Sequence, residues 1–492
     1  MVLEHVHCFL IIRPENKQEW QVLESFLAEH LVVEKRIYDP FLRSIKTVVV
    51  KLYTKAEDGY TIPDGFLFKL LFAITKAGIT YTYRAERERG LKADWENVSN
   101  KFTLRPLQEE CLKAVDKALI AGTGGVVVAP PAFGKSYLIS MLVNLYKDYK
   151  IDVISRRRDV VISNYRAILK TTPDVGLVTT GSKTTGRVTV FTADSVFHSR
   201  FDANLVILDE VHELVTDRYM RLLSNYFAPK LGLTATPDTR YDNLHSRIEG
   251  LCGPVLYRVS YQDAEDVSIV VPIVVIWYPV DAVETKFSDP ITRKRNGIWC
   301  NDSRNRLIAN VALEHYNNNR QVLIIVETIE HALRLKQYLP EFEVCYAGSR
   351  KEGAYPTDLN YAPISAKRRE ELRTLFQTRQ VMGVIATGVW AVGVSFDNLE
   401  VLIRAEGSGS KTAATQVPGR VCRISNQICK PSGLVIDFID KFERGLMQKS
   451  IERYRCYAKH GWAQFDHTGT PLHLSRFRSL TAKTRKSRKF GK

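Results

Sequence analysis

Short, mostly apolar runs alternate with longer helical stretches from about residue 101 to residue 440, and this alternation constrains the fold most. In its first half, the runs Val126–Val128, Val188–Phe191 and Leu205–Leu208 each lie close to Gly, Asp or Ser. Such runs are typical of strands buried on both faces of a parallel sheet. A second series has predicted strands at Val322–Val326, Val344–Ala347, Val381–Ala386, Val401–Ile403 and Leu434–Asp437. The chain is therefore predicted to be an α/β protein with two tandem parallel-sheet domains.

A smaller mixed α/β domain is predicted ahead of these two. It has expected strands and helices at Val2–Ile12 (strand), Gln18 to about His30 (helix), Thr47–Tyr53 (strand), Gly65–Ala77 (helix) and Thr80–Arg84 (strand). The predicted domains are residues 1–98, 99–260 and 261–442, followed by a C-terminal extension at 443–492 with a basic tail at 483–489.

Composition narrows the class of protein. The 492 residues contain no run near the ~20 apolar residues that span a bilayer, and the N-terminus lacks a basic leader. Eight cysteines occur singly, with no Cys-x-x-Cys and no zinc-like Cys/His spacing, which favours a reducing cytoplasm. The net charge of +16 suits a polyanionic partner, because cations placed near phosphates release condensed counterions. Charge that serves only solubility is the alternative.

The loop from Ala129 to Ser136 follows the first predicted strand and precedes a predicted helix. Backbone N–H groups of such a loop, together with the helix N-terminus, form an anion site. Lys135 is expected to reach the β- and γ-phosphates of ATP, and Ser136 to hold Mg²⁺. The expected cradle is Pro131, Ala132, Phe133, Gly134, Lys135 and Ser136. Alanine stands at 129 and 132 where glycine is usual, so the motif is imperfect.

A pair of carboxylates makes the nucleotide prediction much stronger. The predicted strand Leu205–Leu208 ends at Asp209-Glu210-Val211-His212. A carboxylate leaving a buried strand beside a phosphate loop can hold Mg²⁺, and the next one can polarise the attacking water. Asp209 is assigned to the metal and Glu210 to the general base.

Further motifs resemble those of the superfamily 2 helicases. Leu233–Pro237 resembles motif III, which links the ATP site to the nucleic-acid track, and Val188–Ser195 resembles motif Ib/Ic, with Thr192 on a phosphate. Leu104–Gln108 is similar to the adenine-recognising element, in which Arg105 and Gln108 would bind the nucleotide. The resemblance implies two RecA-like domains, ATP with Mg²⁺, and a nucleic-acid partner.

The second predicted domain carries the remaining motifs in the family's order. Gln321–Glu327 resembles motif IV, and Ile385–Gly388 with Gly393–Ser395 resembles motif V. The resemblance to motif V implies that Thr387 contacts nucleic acid and that Gly393 contacts the nucleotide. Gln416–Arg423 matches the Gln-x-x-Gly-Arg-x-x-Arg of motif VI. By this resemblance Gln416, Arg420 and Arg423 are catalytic, the two arginines compensating charge on the γ-phosphate.

Two departures from the family pattern refine the resemblance. At motif Ia the chain has Arg156, Arg157 and Arg158, which would either grip phosphates or begin a solvated helix. Motif V has Ser395 where an acidic residue is common, and residues 393–399 look most like the phage UvsW-type helicases.

That subgroup implies a motor that remodels branched DNA, namely forks, Holliday junctions and recombination intermediates. It also implies the cytoplasm of an infected cell, and replication or recombination proteins as partners. The alternatives are an RNA or RNA–DNA hybrid helicase, an ATP-dependent clamp that does not unwind, and the motor subunit of a restriction complex. An N-terminal domain that only packs on the first lobe is the alternative to one that binds DNA.

Overall fold

The computed structural model describes residues 1–39, 44–85, 90–237, 246–280, 289–348, 359, 361–390, 396–441 and 443–477. It divides into two compact units, one of residues 1–130 with 134–259 and the other of residues 131–133 with 260–492. Within the described residues, no helix is both long and apolar enough to cross a membrane. All eight cysteines are free thiols.

The N-terminal part of the first unit is a small α/β domain. Its elements are β1 (Val2–Val6), β2 (Phe9–Arg13), α1 (Lys17–His30), β3 (Val32–Asp39), β4 (Ser44–Lys51), β5 (Thr54–Ala56), β6 (Gly59–Pro63), α2 (Leu67–Lys76) and β7 (Thr82–Ala85). Five strands form one sheet in the order β5-β6-β2-β1-β7. The single strand predicted at Val2–Ile12 is wrong, because the chain reverses at His7, whose φ is 52°, and pairs β1 with β2 antiparallel.

Strands β3 and β4 form a separate two-stranded hairpin, and β3 is a strand that the sequence pattern missed. Arg36 pairs with Thr47 and Ile37 with Lys46, so alternation places basic and apolar side chains on both faces. Val49 is 61% exposed and Lys46 is 55% exposed at its side chain. No third strand pairs with this hairpin within the described residues. Its faces are therefore largely open to solvent.

The small domain packs directly on the larger domain of the first unit. The Cys8 thiol donates to the Tyr226 carbonyl at 2.7 Å, and the buried Lys230 ammonium lies 2.8 Å from the same sulfur. Lys69 forms an ion pair with Glu249 at 2.7 Å. A Cβ on Gly65 would lie 1.9 Å from the Glu249 carbonyl oxygen, so only glycine permits this approach.

A RecA-like domain completes the first unit. Its helices are α3 (Trp95–Lys101), α4 (Pro106–Ile120), α5 (Lys135–Leu145), α6 (Arg158–Leu169), α7 (Asp217–Leu223) and α8 (Ser246–Cys252). Its strands are β8 (Gly125–Val128), β9 (Ile151–Ser155), β10 (Val175–Thr179), β11 (Ser182–Lys183), β12 (Val188–Thr192), β13 (Leu205–Asp209), β14 (Lys230–Thr234) and β15 (Val255–Arg258). The sheet order is β11-β10-β12-β9-β13-β14-β8-β15. All neighbouring strands are parallel except β10 and β11.

This order brings the ends of three motif-bearing strands to one edge. Strands β8 and β13 flank β14, and every residue of the three is buried. In a parallel sheet the carboxyl ends of the strands lie on one side, which is where ligands bind in folds of this kind. The phosphate loop, the acidic pair and motif III therefore leave the sheet at the same edge.

The second unit holds the second RecA-like domain. Its helices are α9 (Tyr261–Asp266), α10 (Pro290–Lys294), α11 (Asp302–Asn317), α12 (Ile329–Tyr338), α13 (Ala366–Gln377), α14 (Lys411–Gln416) and α15 (Arg444–Lys459). Its strands are β16 (Ile273–Val280), β17 (Val322–Ile325), β18 (Glu343–Cys345), β19 (Gly383–Ala386), β20 (Val401–Arg404), β21 (Gly433–Asp440) and β22 (Ala463–Asp466). They form one parallel sheet in the order β18-β19-β17-β20-β21-β16-β22. The sequence pattern missed β16 and β22, which lie outside the predicted series on either side.

Candidate nucleotide site and nucleic-acid contacts

The phosphate loop is shaped by left-handed backbone. Gly134, with φ 96°, is the N-cap of α5, and Ala132 has φ 69°, a region that non-glycine residues rarely adopt. A Cβ on Gly134 would lie 3.3 Å from the Gln108 side-chain nitrogen, so this buried side chain borders the loop. Because α5 runs for 11 residues, its first-turn N–H groups and dipole make an anion site beside Lys135 and Ser136.

Lys135 and Glu210 form an ion pair across the loop. Lys135 Nζ lies 2.7 Å from Glu210 Oε1, with 14% and 16% of the side chains exposed. Glu210 itself has φ 51°, a strained conformation of the kind that clusters at functional sites. Burial raises the pKa of Glu210, but Lys135 and His212 outweigh it, so the pKa lies below its usual value. The carboxylate is thus held ionised, as a general base requires.

Asp209 occupies a different environment from its neighbour. It is 3% exposed, and Asn164 of α6 donates to Asp209 Oδ2 at 2.8 Å. Burial, and then the charge of Glu210, raises the pKa of Asp209 to about 6. A divalent cation would stabilise the carboxylate form of this buried group.

The residues at this edge fit ATP with Mg²⁺. Mg²⁺ is usually held by one or two protein oxygen ligands, with phosphates and water completing its coordination. The Asp209 carboxylate and the Ser136 hydroxyl, in the first turn of α5, supply such ligands, and the Lys135 ammonium suits a phosphate. When bound, Mg²⁺ would neutralise charge on the phosphates.

A chain of close polar contacts leads from Glu210 to the segment that resembles motif III. His212 Nδ1 lies 3.5 Å from Glu210 Oε2 and 3.0 Å from Thr234 Oγ1. The Thr236 N–H then donates to Thr234 Oγ1 at 3.1 Å. These contacts connect the acidic pair with Thr236, two residues beyond β14, in the segment that resembles motif III.

The expected nucleic-acid residues of the first unit lie at its surface or at strand ends. Arg156, Arg157 and Arg158 are exposed, and Arg157 makes a bidentate contact with Glu213, its Nη2 lying 2.7 Å from Oε1. Helix α6 begins at Arg158, so this segment is an exposed helix start, as one of the two expectations had it. Contact of the three arginines with phosphates stays a prediction. Thr192 ends β12 and donates to the Ser195 hydroxyl at 2.8 Å, and Arg105, the N-cap of α4, is exposed.

The residues of the second unit that are expected to contact nucleotide or nucleic acid differ in their exposure to solvent. Thr387 follows β19 and is 7% exposed, while Gln416 ends α14. Arg420 is 7% exposed, whereas the Arg423 side chain is 34% exposed and pairs with Asp397 at 3.4 Å. Gly393 and the basic tail at 483–489 lie outside the described residues.

No role was assigned from the sequence to three neighbours of the site, although one of them, His212, stands within the acidic motif. Asn164 orients Asp209 from the middle of α6, and His212 and Glu213 connect the acidic pair to Thr234 and Arg157. Their roles come from contacts between distant segments, which spacing along the chain does not reveal.

Comparison with known proteins agrees with this arrangement. Residues 101–239 match the family profile "Type III restriction enzyme, res subunit", and residues 303–425 match "Helicase conserved C-terminal domain". The DNA 3'-5' translocase XPB2 of Sulfurisphaera tokodaii is 24% identical over 70% of this chain and 83% of its own length. The irc3 protein of Schizosaccharomyces pombe, a putative mitochondrial ATP-dependent helicase, is 24% identical over 74% of this chain and 63% of its own length.

A solved structure, that of Dbp5, shares the fold. Dbp5 of S. cerevisiae, bound to RNA and ADP BeF3, covers 78% of this chain and 95% of its own, with 12% identity and a TM-score of 0.53. T4 UvsW covers 95% of this chain and 99% of its own, with 16% identity and a TM-score of 0.41. With two helicase profiles matched in order on two RecA-like domains, the chain belongs to the superfamily 2 helicases.

Proposed function

We propose that this helicase is an ATP-driven DNA translocase that remodels branched DNA, such as forks and four-way junctions. Lys135 and Ser136 bind the triphosphate with Mg²⁺, Asp209 holds the metal, and Glu210 activates water. Charge supports a polyanionic partner, because lysine and arginine exceed aspartate and glutamate by 16. A relative named as a DNA translocase supports DNA over RNA.

The observation that carries the branched-DNA proposal is the N-terminal domain seated on the motor. Contacts from Cys8, Gly65 and Lys69 hold it on the first RecA-like domain, so force generated there is transmitted to it. Its hairpin β3–β4 presents basic side chains on both faces. A two-stranded ribbon of this kind fits the major groove of B-DNA. One protein thus offers a motor track and a second duplex contact, which a junction can occupy together.

Stimulation of ATP hydrolysis by different nucleic acids tests the proposal. The purified protein is assayed alone and with single-stranded DNA, linear duplex, forked duplex, a four-way junction or RNA, each at equal nucleotide concentration. We expect fork and junction DNA to raise kcat at least tenfold above linear duplex. Stimulation by RNA alone would overturn the DNA assignment. Hydrolysis that no nucleic acid stimulates would favour a clamp.

Removing charge from the hairpin should weaken binding of branched DNA. The variant Arg36→Ala/Lys46→Ala/Lys51→Ala loses three cations that lie on exposed positions of β3 and β4. Three lost phosphate contacts should make the negative slope of log K against log salt shallower by about 2.7. They should also weaken junction affinity by roughly 10–100-fold at moderate salt. Fluorescence anisotropy with a labelled junction measures both quantities.

A matched variant controls for net charge. Lys17→Ala/Lys117→Ala/Lys170→Ala removes the same charge from exposed positions on α1, α4 and the end of α6. Its junction affinity should stay within threefold of the parent protein. Equal losses in the two triple variants would mean that only overall charge matters, and would remove the hairpin from the proposal.

A further inference from the structure

The core of the second unit contains an unusual concentration of buried charge. Three arginines there are at most 1% exposed at their side chains, and three carboxylates face them. The six residues are Arg304, Arg404, Glu406, Asp437, Asp440 and Arg453. Burying an ion pair costs desolvation that its attraction repays only with good hydrogen-bond geometry. A network of this size therefore calls for an explanation beyond stability.

Arg453 of α15 is the centre of the network. Its Nε lies 3.1 and 3.0 Å from the two carboxylate oxygens of Asp437 on β21, and Nη2 donates to the Phe438 carbonyl at 2.9 Å. Its Nη1 donates to the Ser408 carbonyl at 3.2 Å. Tyr457, one turn later on α15, donates to Asp437 at 2.6 Å. One guanidinium thus joins α15, the end of β21 and the segment after β20.

Arg304 holds the same segment at its other end. Its Nε donates to Asp440 at 2.8 Å, and Nη1 donates to the Ala405 carbonyl at 2.8 Å. Arg404, the last residue of β20, pairs with Glu406 inside this segment. The carbonyls of Ala405 and Ser408 are therefore both fixed by buried arginines. The segment 405–410 has no strand or helix of its own, so these side chains supply hydrogen bonds that regular structure would otherwise provide.

Segment 405–410 leads directly into motif VI. Ser410 is the N-cap of α14, which runs to Gln416, and Arg420 follows in the next turn. Helix α15 also contacts the far end of α14, where the Thr415 hydroxyl lies 2.9 Å from His460 Nε2. Helix α15 thus contacts the segment that leads into α14 through Ser408 and the end of α14 through Thr415, and α15 lies beyond the residues that match the helicase profiles.

We propose that Arg453 is a positioning residue for motif VI, which acts by holding segment 405–410 and thereby the orientation of Arg420. The inference rests on the proposed role of motif VI in ATP hydrolysis. It assigns to α15 a function in turnover rather than in packing alone. A small displacement of a group that must meet developing charge costs catalysis much more than it costs nucleotide binding.

The test compares ATP hydrolysis and nucleotide binding in full-length variants with the most stimulating DNA. Arg453→Met should lower kcat at least tenfold, while KM for ATP stays within threefold. Arg453→Lys, which can still reach Asp437 but not Ser408 as well, should recover part of the loss. Tyr454→Phe is the matched control, since it removes a buried hydrogen bond from the same helix to the Leu472 carbonyl. Its kcat should stay within twofold of the parent protein.

A double-mutant cycle with Arg420→Lys separates positioning from general destabilisation. The decrease in log kcat caused by Arg453→Lys is measured in the parent protein and in the Arg420→Lys variant. If Arg453 acts through Arg420, the decrease in the Arg420→Lys variant should be less than half of the decrease in the parent. Additive losses, or an Arg453→Lys kcat within twofold of the parent, would overturn the inference even if Arg453→Met does not fold. Failure of the proposed function would give a different result. The parent protein and the Lys135→Ala variant would then hydrolyse ATP at the same rate.

Discussion

Replacing Glu210 by glutamine should lower kcat for DNA-stimulated ATP hydrolysis at least a thousandfold, with KM for ATP changed less than fivefold. Glutamine keeps an oxygen for Lys135, 2.7 Å away, but it cannot take a proton from water. The low pKa of Glu210 keeps the parent side chain ionised. Steady-state phosphate release, with binding of a fluorescent ATP analogue, measures the two effects separately.

Two further variants serve as controls for the Glu210→Gln result. Lys135→Ala should lose both nucleotide affinity and turnover, because it removes the charge expected on the phosphates. Glu110→Gln removes a carboxylate that accepts a hydrogen bond from the Tyr257 hydroxyl at 2.7 Å in the same unit, and its kcat should stay within twofold of the parent. A Glu210→Gln protein with more than a tenth of parental kcat would show that another group activates water.

The second large effect is expected at Arg423. Changing it to alanine should lower kcat roughly a thousandfold, the scale of losing a cation from a phosphoryl-transfer site, and leave nucleotide affinity within threefold. The Arg423 side chain is about one-third exposed and pairs with Asp397 at 3.4 Å, so it is not buried in the core. This exposure leaves the cation available for the role that motif VI implies.

Rapid-mixing measurement of a single turnover checks the Arg423 prediction, because it separates hydrolysis from product release. Arg334→Ala provides the matched control, as Arg334 also pairs with a carboxylate in the second unit, Glu330 at 3.1 Å. Its single-turnover rate should stay within twofold of the parent. An Arg423→Ala protein with normal single-turnover hydrolysis would refute the catalytic assignment.

The predicted α/β framework rests on strands that the sequence marks clearly. Strands β8 and β13 are buried at every position, so their apolar runs need no alternation to be recognised. The two-faced hairpin β3–β4 gives no such pattern, because Glu34, Lys35 and Arg36 interrupt it, and β3 went unrecognised. The N-terminal reversal at His7 was also missed, since a left-handed histidine leaves no mark in composition.

What the sequence determined by itself is which residues are candidates for the nucleotide site. The Gly-Lys-Ser loop, the Asp-Glu pair and the motif VI arginines are identified by residue type and order, and ATP hydrolysis constrains those types directly. What only the tertiary structure decided is how these groups are held. These contacts join segments far apart in the chain, namely the hydrogen bonds of Asn164 with Asp209, His212 with Thr234 and Arg453 with Ser408. A buried polar group must find a partner wherever the fold brings one, and that partner cannot be read from local spacing.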